Sequence, residues 1–177
     1  MDKRMTTKMI VEGGVLIALA QILSYIKVYE GPYGGSVTAG SMVPIFIYAI
    51  RWGLKPGIMV GTVYGILQFI LGPKYSYHVI SILFDYIFAF GILGFAGVFH
   101  DSKLGSMTGI FIGILGRFVC HVISGAVVFA SYAPKGLNPW LYSSMYNLSY
   151  LAPELLISIV VITLLYRPLK RVSLASS

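Results

Sequence analysis

The stretch SILFDYIFAF, residues 81–90, places one carboxylate, Asp85, inside an apolar run that is typical of a membrane-embedded helix. An ionisable side chain at membrane depth costs about 2.5–3.5 kcal/mol on insertion scales, so it usually faces a cavity or a partner. The whole chain has a similar character, because 57% of its 177 residues are hydrophobic and 11% are charged, with a mean hydropathy of +0.83. A soluble protein with so few charges could not cover its surface with polar groups. The sequence therefore predicts an all-α membrane protein.

Six apolar segments organise the chain, since a helix needs about 17–25 apolar residues to cross about 30 Å of hydrocarbon. The second and third segments are short, so we expect one of them to be tilted or embedded in the bundle. Gly- and Pro-rich stretches such as EGPYGGS and APKGLNPW separate the segments. We predict one domain, residues 1–177, with transmembrane helices at about 8–27, 39–53, 56–71, 78–99, 105–132 and 139–166.

The basic residues predict the orientation, because positively charged flanks are retained in the cytoplasm. With the N-terminus inside, nine basic residues fall on the cytoplasmic side: Lys3, Arg4, Lys8, Arg51, Lys55, Lys103, Arg167, Lys170 and Arg171. Only Lys27, Lys74 and Lys135 fall outside. We therefore expect both termini in the cytoplasm of a plasma-membrane protein, with the longer loops outside. The net charge of +7 is then explained by flanks that face anionic lipid, without any nucleic acid.

Three polar side chains on three different helices fall at similar depths from the outer face. Asp85 lies about seven residues into the fourth helix, or roughly 10 Å deep at about 1.5 Å per residue. The same count places His121 roughly 16 Å deep and Asn147 roughly 12 Å deep. This agreement predicts a polar site in the outer half of the bundle.

Helical spacing adds neighbours to each of the three, because residues three or four apart share a helix face. His78 and Ser81 share a face with Asp85, while Ser124, Gly125 and Phe129 follow His121. Tyr142 and Tyr146 share a face beside Asn147. An aromatic cavity with one carboxylate, one imidazole and one amide suits a flat heterocyclic ligand, including a cationic one.

Each residue also has a purely structural alternative. Asp85 could neutralise Arg117 within the bundle, and Gly125 could serve close helix packing. Tyr142 and Tyr146 could belong to an interfacial aromatic belt, and Pro153 with Glu154 could mark a helix kink. The sequence has no phosphate-binding loop and no metal-ligand or nucleophile motif. We therefore expect a binding protein rather than an enzyme, with no ATPase activity of its own and no cofactor or metal.

Three stretches of the chain resemble the thiamine-binding S-components of energy-coupling factor (ECF) vitamin transporters, the ThiT/YuaJ group. They are GGSVTAGSMVPIFIYAIRWG (34–53), YHVISILFDYIFAFGILGFAG (77–97) and SGAVVFASYAPKGLNPWLYSSMYNLSYLAPELL (124–156). The resemblance implies the six-helix, riboflavin-transporter-like S-component fold. It also implies thiamine capture from outside, with a membrane-embedded T-component and two cytoplasmic ATPases as partners that drive uptake.

The resemblance also implies roles for individual residues. The family's pocket carboxylate, histidine, tyrosine and asparagine match Asp85 with Tyr86, His121, Tyr142 and Asn147. Aromatic pocket positions then fall at Tyr64, Tyr75 and Phe129, with Tyr146 beside them and Gly125 as a close-approach position. A small-residue face on helix one, at Gly14 and Ala18, would contact the T-component, and the loop at 28–38 would close over the vitamin.

This chain departs from the family pattern at two kinds of position. Asp85 stands where other members have glutamate, and Tyr64, Phe129 and the loop around Tyr33 stand where they have tryptophan. An S-component for another flat vitamin or a thiamine precursor therefore remains an alternative. From other classes, the alternatives are a membrane scaffold built on an Asp85–Arg117 pair and an intramembrane enzyme.

Overall fold

Long apolar runs form helices because backbone in hydrocarbon must satisfy its own hydrogen bonds. The computed structural model describes residues 5–174, with side chains up to residue 169. Lys3 and Arg4, and the side chains of Lys170 and Arg171, which were counted for the orientation, lie outside this description. The described residues form six long or medium helices, α1 (Thr7–Tyr25), α2 (Val43–Trp52), α3 (Leu54–Leu71), α4 (Val79–Gly97), α5 (Lys103–Val127) and α6 (Pro139–Leu174), and a short 3-10 turn at Ala130–Tyr132.

Five of these helices are long and apolar enough to cross a membrane, and α2 is the exception. Its ten residues span only about 15 Å at about 1.5 Å per residue. Most of its side chains are nevertheless buried, and Ile45, Phe46 and Tyr48 are fully so. Tyr48 donates a hydrogen bond across to the Met9 carbonyl of α1 at 3.1 Å. The second segment is therefore embedded among the other helices.

The chain between α1 and α2 forms a hairpin where the sequence suggested only a loop. Strand β1 (Lys27–Glu30) pairs antiparallel with β2 (Ser36–Thr38). All of β1 is exposed, whereas Val37 and Thr38 of β2 are buried. The turn requires a glycine at Gly34, whose φ of 92° is a conformation that side-chain-bearing residues rarely adopt. The hairpin therefore carries the chain from the molecular surface into the bundle.

Glycines spaced four apart bring α3 against α4. Gly57, Gly61 and Gly65 are all buried on one face of α3. A Cβ atom at Gly61 would collide with the Phe90 carbonyl, and one at Gly65 would collide with the Tyr86 carbonyl. Small residues at this spacing allow helix backbones to approach closely. The stripe therefore positions the helix that carries Asp85.

Helix α4 is irregular where it carries the carboxylate. Ile82–Phe88 forms a π-helix, and Ile92–Gly97 tightens into a 3-10 helix. π-helical segments within α-helices are rare and are frequent at functional sites. Asp85 lies in the middle of the π-helical segment, so the irregular turn determines where this carboxylate is placed.

Candidate functional site

A cavity of about 240 Å³ lies between the hairpin, the C-terminal half of α3, the N-terminal half of α4, and helices α5 and α6. All ten residues that the sequence suggested for ligand binding line it: Tyr64, Tyr75, Asp85, Tyr86, His121, Gly125, Phe129, Tyr142, Tyr146 and Asn147. His78 is not among the lining residues; its side chain instead caps the start of α4 by accepting from Ile80 N at 3.2 Å.

The carboxylate of Asp85 is held by three side chains from α4 and α5. Its Oδ1 lies 2.9 Å from Nδ1 of His121. Its Oδ2 accepts hydrogen bonds from Ser81 at 2.7 Å and from Ser124 at 2.5 Å. The two serines come from the helix faces that the spacing of three or four residues identified. Both carboxylate oxygens therefore have donors within the protein.

Arg117 defines the tautomer of His121. The Arg117 Nε–H donates to His121 Nε2 at 3.1 Å, so Nε2 is the acceptor of the imidazole. Because a neutral imidazole has one donor and one acceptor nitrogen, Nδ1 carries the proton and donates to Asp85. Arg117 also lies over the Phe90 ring, with Cζ 4.1 Å from the ring centroid, a favourable cation–π geometry.

This arrangement bears on the structural alternative in which Asp85 only neutralises Arg117. Among the described side chains, no direct ion pair joins Asp85 to Arg117; the His121 ring lies between them. The three residues form a relay of hydrogen bonds from a cation to an anion. All three line the cavity, so the relay presents polar atoms to its interior.

Tyrosines surround the mouth of the cavity. Tyr33 of the hairpin stacks on Tyr132 with ring centroids 4.5 Å apart and an interplanar angle of 22°. On α6, the rings of Tyr142 and Tyr146 are nearly parallel, with centroids 6.4 Å apart. The ring centroids of Phe129 and Tyr132 are 5.6 Å apart. Flat aromatic surfaces of this kind suit the faces of a planar ligand.

Tyr146 also holds the hairpin in place. Its hydroxyl accepts hydrogen bonds from the backbone amides of Gly35 at 2.9 Å and Tyr33 at 3.2 Å. On the opposite side of the hairpin, Gly34 packs against the Tyr75 ring so closely that a Cβ atom there would overlap it. The hairpin is therefore pinned between α6 and the loop that follows α3.

Asn147 orients its amide through its own helix. The Nδ2 group donates to the Ser143 carbonyl at 2.8 Å and to the Ser143 hydroxyl at 3.2 Å. Its Oδ1 accepts a hydrogen bond from Tyr150. Asn147 lines the same cavity as Asp85 and His121 but is not hydrogen-bonded to either of them in this arrangement.

Gly125 serves close packing between α5 and α6. A Cβ atom at this position would overlap the Ser143 hydroxyl, which itself donates to the Val122 carbonyl at 3.1 Å. The structural alternative for Gly125 is thus observed, and the residue also lines the cavity.

Two further tyrosines are fixed by polar contacts beside the cavity. Tyr64 is fully buried; its hydroxyl donates to the Ala20 carbonyl at 3.3 Å and accepts from Gln68 at 2.7 Å. Tyr86 packs on Phe69 with ring centroids 5.2 Å apart. These contacts link the cavity wall to α1 and α3.

Glu154 and Arg117 line the cavity although the sequence did not assign them to the site. Glu154 is 3% exposed and accepts from the Thr38 amide at 2.5 Å and the Thr38 hydroxyl at 2.7 Å. Glu154 could have been found in the same way as Asp85, because it too is an ionisable residue within an apolar segment. Glu154 also lies seven residues after Asn147, which places both on one helix face.

Gly14 and Ala18 lie away from the cavity, on the outward face of α1. Both are exposed, and a Cβ atom at Gly14 would meet no atom within 4 Å. Its neighbour Gly13 is the packed position, where a Cβ atom would lie 3.1 Å from Val60.

The described residues contain no group of three His, Cys, Asp or Glu side chains that could hold a metal.

Comparison with known proteins identifies the family. The matching family model is described as a thiamine transporter protein (Thia_YuaJ), and it covers residues 10–174. The chain belongs to this thiamine transporter family. The resemblance that the three sequence stretches suggested is therefore confirmed.

Curated members of the thiamine transporter family include two similar proteins. The thiamine transporter ThiT of Bacillus subtilis (strain 168) is 37% identical over 172 residues, which is 89% of each chain. ThiT of Lacticaseibacillus paracasei is 32% identical over 154 residues, covering 78% of this chain and 76% of that protein.

The fold is also found in a solved member of the family. The structure of ThiT from Listeria monocytogenes matches with a TM-score of 0.80 at 24% identity, covering 93% of this chain and 96% of that one. The six-helix S-component fold predicted from the sequence is therefore confirmed.

Proposed function

We propose that this protein is the thiamine-binding S-component of an ECF-type vitamin importer, which captures thiamine from the external side of the membrane. The observation that carries the proposal is an aromatic cavity whose interior is lined by two carboxylates and one guanidinium. Family membership supports the ligand, because the two curated relatives are both thiamine transporters.

The charges that line the cavity match a ligand with one positive charge. Among the described residues, the interior is lined by the carboxylates Asp85 and Glu154 and by one guanidinium, that of Arg117. Lys27 lies at the mouth, where it pairs with Glu30 at 2.5 Å. With both carboxylates ionised, the interior has an excess of one negative charge. Thiamine carries one permanent positive charge on its thiazolium ring, so its desolvation can be offset without a counterion.

The shape of the lining suits the two rings of thiamine. Tyr33, Tyr132 and Tyr142 offer ring faces at the mouth, where an aromatic face attracts a flat cation. Deeper in the cavity, His121 and Asn147 offer polar atoms that can orient an aminopyrimidine or a hydroxyethyl arm. In this proposal Asp85, Tyr86, Gly125 and Phe129 complete the pocket around the vitamin.

The cavity opens on the side of the loops that follow α1, α3 and α5, since residues of all three loops line it: Tyr33, Tyr75 and Tyr132. These are the loops that the distribution of basic residues predicts to lie outside. Both termini are then cytoplasmic, and the cavity receives its ligand from the external medium.

In this proposal the protein binds thiamine and depends on partner subunits for transport. A membrane-embedded T-component would contact the exposed face of α1 at Gly14 and Ala18, and two cytoplasmic ATPases would supply the energy for inward release. The S-component would take no part in ATP hydrolysis.

The decisive experiment is a titration of the purified protein with thiamine, followed by intrinsic Trp/Tyr fluorescence. Asp85→Asn and Asn147→Ala test the pocket, and Asp101→Asn is the matched control, because that carboxylate is 94% exposed in the short connection between α4 and α5. Saturable quenching that weakens in both pocket variants and not in Asp101→Asn supports the proposal.

Other results of the titration would assign a different function to the protein. Riboflavin and isolated aminopyrimidine and thiazole precursors, run as parallel titrants, test the neighbouring transport alternatives. Saturable binding of one of these with no response to thiamine would assign the protein to that ligand. Unfolding of Asp85→Asn with no binding of any titrant by the wild type would favour a scaffold.

A further inference from the structure

Glu154 differs from the other carboxylate of the cavity in how its oxygens are satisfied. Oε1 accepts two hydrogen bonds, from the amide and the hydroxyl of Thr38. Oε2 is buried and has no hydrogen-bond partner among the described residues. An unsatisfied buried oxygen of a charged group is costly, so such an atom in a ligand cavity calls for a donor.

Asp85 shows the opposite pattern. Its two oxygens already accept from His121, Ser81 and Ser124. These three groups leave Asp85 one of its roughly four acceptor sites, on Oδ1 beside His121. Glu154 is therefore the carboxylate of the two that has an oxygen without any hydrogen-bond partner among the described residues.

The position of Glu154 makes it the inner end of the cavity. It lies seven residues beyond Asn147 and twelve beyond Tyr142 on α6, or about 10 Å and 18 Å along the helix axis at about 1.5 Å per residue. Thr38 and Ser41, which are hydrogen-bonded to each other at 2.8 Å, also line the cavity there. Because Glu154 is 3% exposed, only a group that enters fully reaches it.

We propose that Glu154 is a ligand-contacting residue whose Oε2 accepts a hydrogen bond from an N–H or O–H donor of the bound ligand. This inference rests on the proposed function. Asp85 then orients His121 and supplies countercharge, while Glu154 accepts a hydrogen bond from the ligand at the inner end of the cavity. Thr38 holds Oε1, so Oε2 is the oxygen that is left to accept from the ligand.

Thiamine has two groups with this chemistry, the exocyclic amine of its pyrimidine and the hydroxyl of its ethyl arm. The experiment uses thiamine and two analogues, in which either the amine or the hydroxyl is replaced by hydrogen. Dissociation constants are measured by fluorescence for the wild-type protein, Glu154→Gln and Thr38→Val. Thr38→Val is the matched control: it removes the hydroxyl that donates to Oε1 but keeps the backbone amide that also donates to it, so Oε1 stays held.

We expect Glu154→Gln to weaken thiamine binding by about 10- to 150-fold, the range for losing a hydrogen bond to a charged group. One analogue should bind the wild type more weakly by a similar factor, yet bind Glu154→Gln as tightly as thiamine does. That analogue identifies the donor. Thr38→Val should retain the wild-type preference for thiamine over the analogue.

The contrary results are distinct. If both analogues bind the wild type as tightly as thiamine, neither the amine nor the hydroxyl donates to the protein. The inference is then wrong, regardless of the affinities of the variants. It is equally wrong if Glu154→Gln and Thr38→Val lose affinity alike and still discriminate the analogue, since Glu154 would then only hold the hairpin. Should Glu154→Gln fail to fold, Glu154→Asp, which keeps the charge and shortens the reach, replaces it. No thiamine binding by the wild type would overturn the proposed function as well.

Discussion

The hydroxyl of Tyr146 lies 2.9 Å from the backbone amide of Gly35 and accepts its hydrogen bond. This contact joins the N-terminal part of α6 (Pro139–Leu174) to the hairpin at the mouth of the cavity. The same hydroxyl also accepts from Tyr33 N, whose ring stacks on Tyr132. A single oxygen atom thus secures the segment that would cover a bound ligand.

Tyr146→Phe should therefore loosen the hairpin. Two backbone donors lose their acceptor, each at a cost of about 1–3 kcal/mol where water cannot replace it. We expect thiamine to dissociate about 5- to 100-fold faster by stopped-flow fluorescence. Tyr166→Phe, on the same helix but not among the cavity-lining residues, is the control. Equal dissociation rates in the two variants would show that the hairpin does not retain the ligand.

Asp85 should discriminate ligands by charge. A thiamine analogue with a neutral ring of the same shape in place of the thiazolium should bind the wild type at least about 10-fold more weakly, since a partly desolvated charge pair is worth more than about 1.4 kcal/mol. Asp85→Asn should bind the two ligands with more similar affinities, whereas Asp101→Asn should keep the wild-type ratio. Identical affinities of both ligands for the wild type would remove the countercharge role.

Gly125→Ala should separate α5 from α6. The new methyl group would overlap the Ser143 hydroxyl, and overpacking of this kind costs about 1–3 kcal/mol. We expect a lower thermal unfolding temperature and weaker thiamine binding, because His121 and Asn147 lie on the two helices that move apart. Adding Ser143→Ala should recover much of both losses. Gly14→Ala, where a Cβ atom meets nothing within 4 Å, should change neither; no rescue by the second substitution would contradict the steric explanation.

The π-helical turn can be tested by changing the length of α4. Deleting Phe88 should convert the turn to a regular α-helix and rotate Asp85 by about 100°, since an α-helix has about 3.6 residues per turn. Thiamine binding should be lost while the helix content by circular dichroism is retained. Phe88→Ala, which keeps the length at a half-exposed position, should bind normally. Normal binding by the deletion variant would show that Asp85 does not depend on the π-helix.

The exposed small-residue face of α1 can be tested separately from the pocket. Gly14→Leu and Ala18→Leu should leave thiamine affinity unchanged, because both positions lie outside the cavity lining. They should reduce copurification with the T-component and ATPases, and thus ATP-dependent thiamine uptake in proteoliposomes. Val15→Leu, an adjacent exposed position, is the control; full assembly of the Gly14 and Ala18 variants would place the partner elsewhere.

The sequence predicted much of the cavity because ionisable and amide groups are conspicuous in an apolar background. Counting depth brought Asp85, His121 and Asn147 into one layer, and the structure places them around one cavity. Helical spacing likewise paired Ser81 with Asp85, and the two are hydrogen-bonded. Glu154 was overlooked because the proline before it offered a local structural explanation.

Other features could not be predicted from local pattern. The π-helix around Asp85 has no residue signature, since its hydrogen bonds follow from tertiary packing. The contact between Thr38 and Glu154 joins residues 116 apart in the chain. The glycine stripe of α3 is visible in the sequence, but only the structure shows that α4 is its partner.

The short α2 helix has a consequence for how the protein enters the bilayer. A ten-residue segment is too short for insertion on its own, because spanning requires about 17–25 residues. Residues 38–42 ahead of it are not helical, and lipid offers their backbone no donor or acceptor. Glu154 accepts the amide of Thr38 and so solvates this stretch from within. In the proposal made above, the carboxylate that satisfies this backbone amide is also the one that contacts the ligand. Replacing Glu154 would therefore remove an acceptor of the hairpin backbone together with a ligand contact, whereas Tyr132 and Tyr142 contribute ring faces to the mouth.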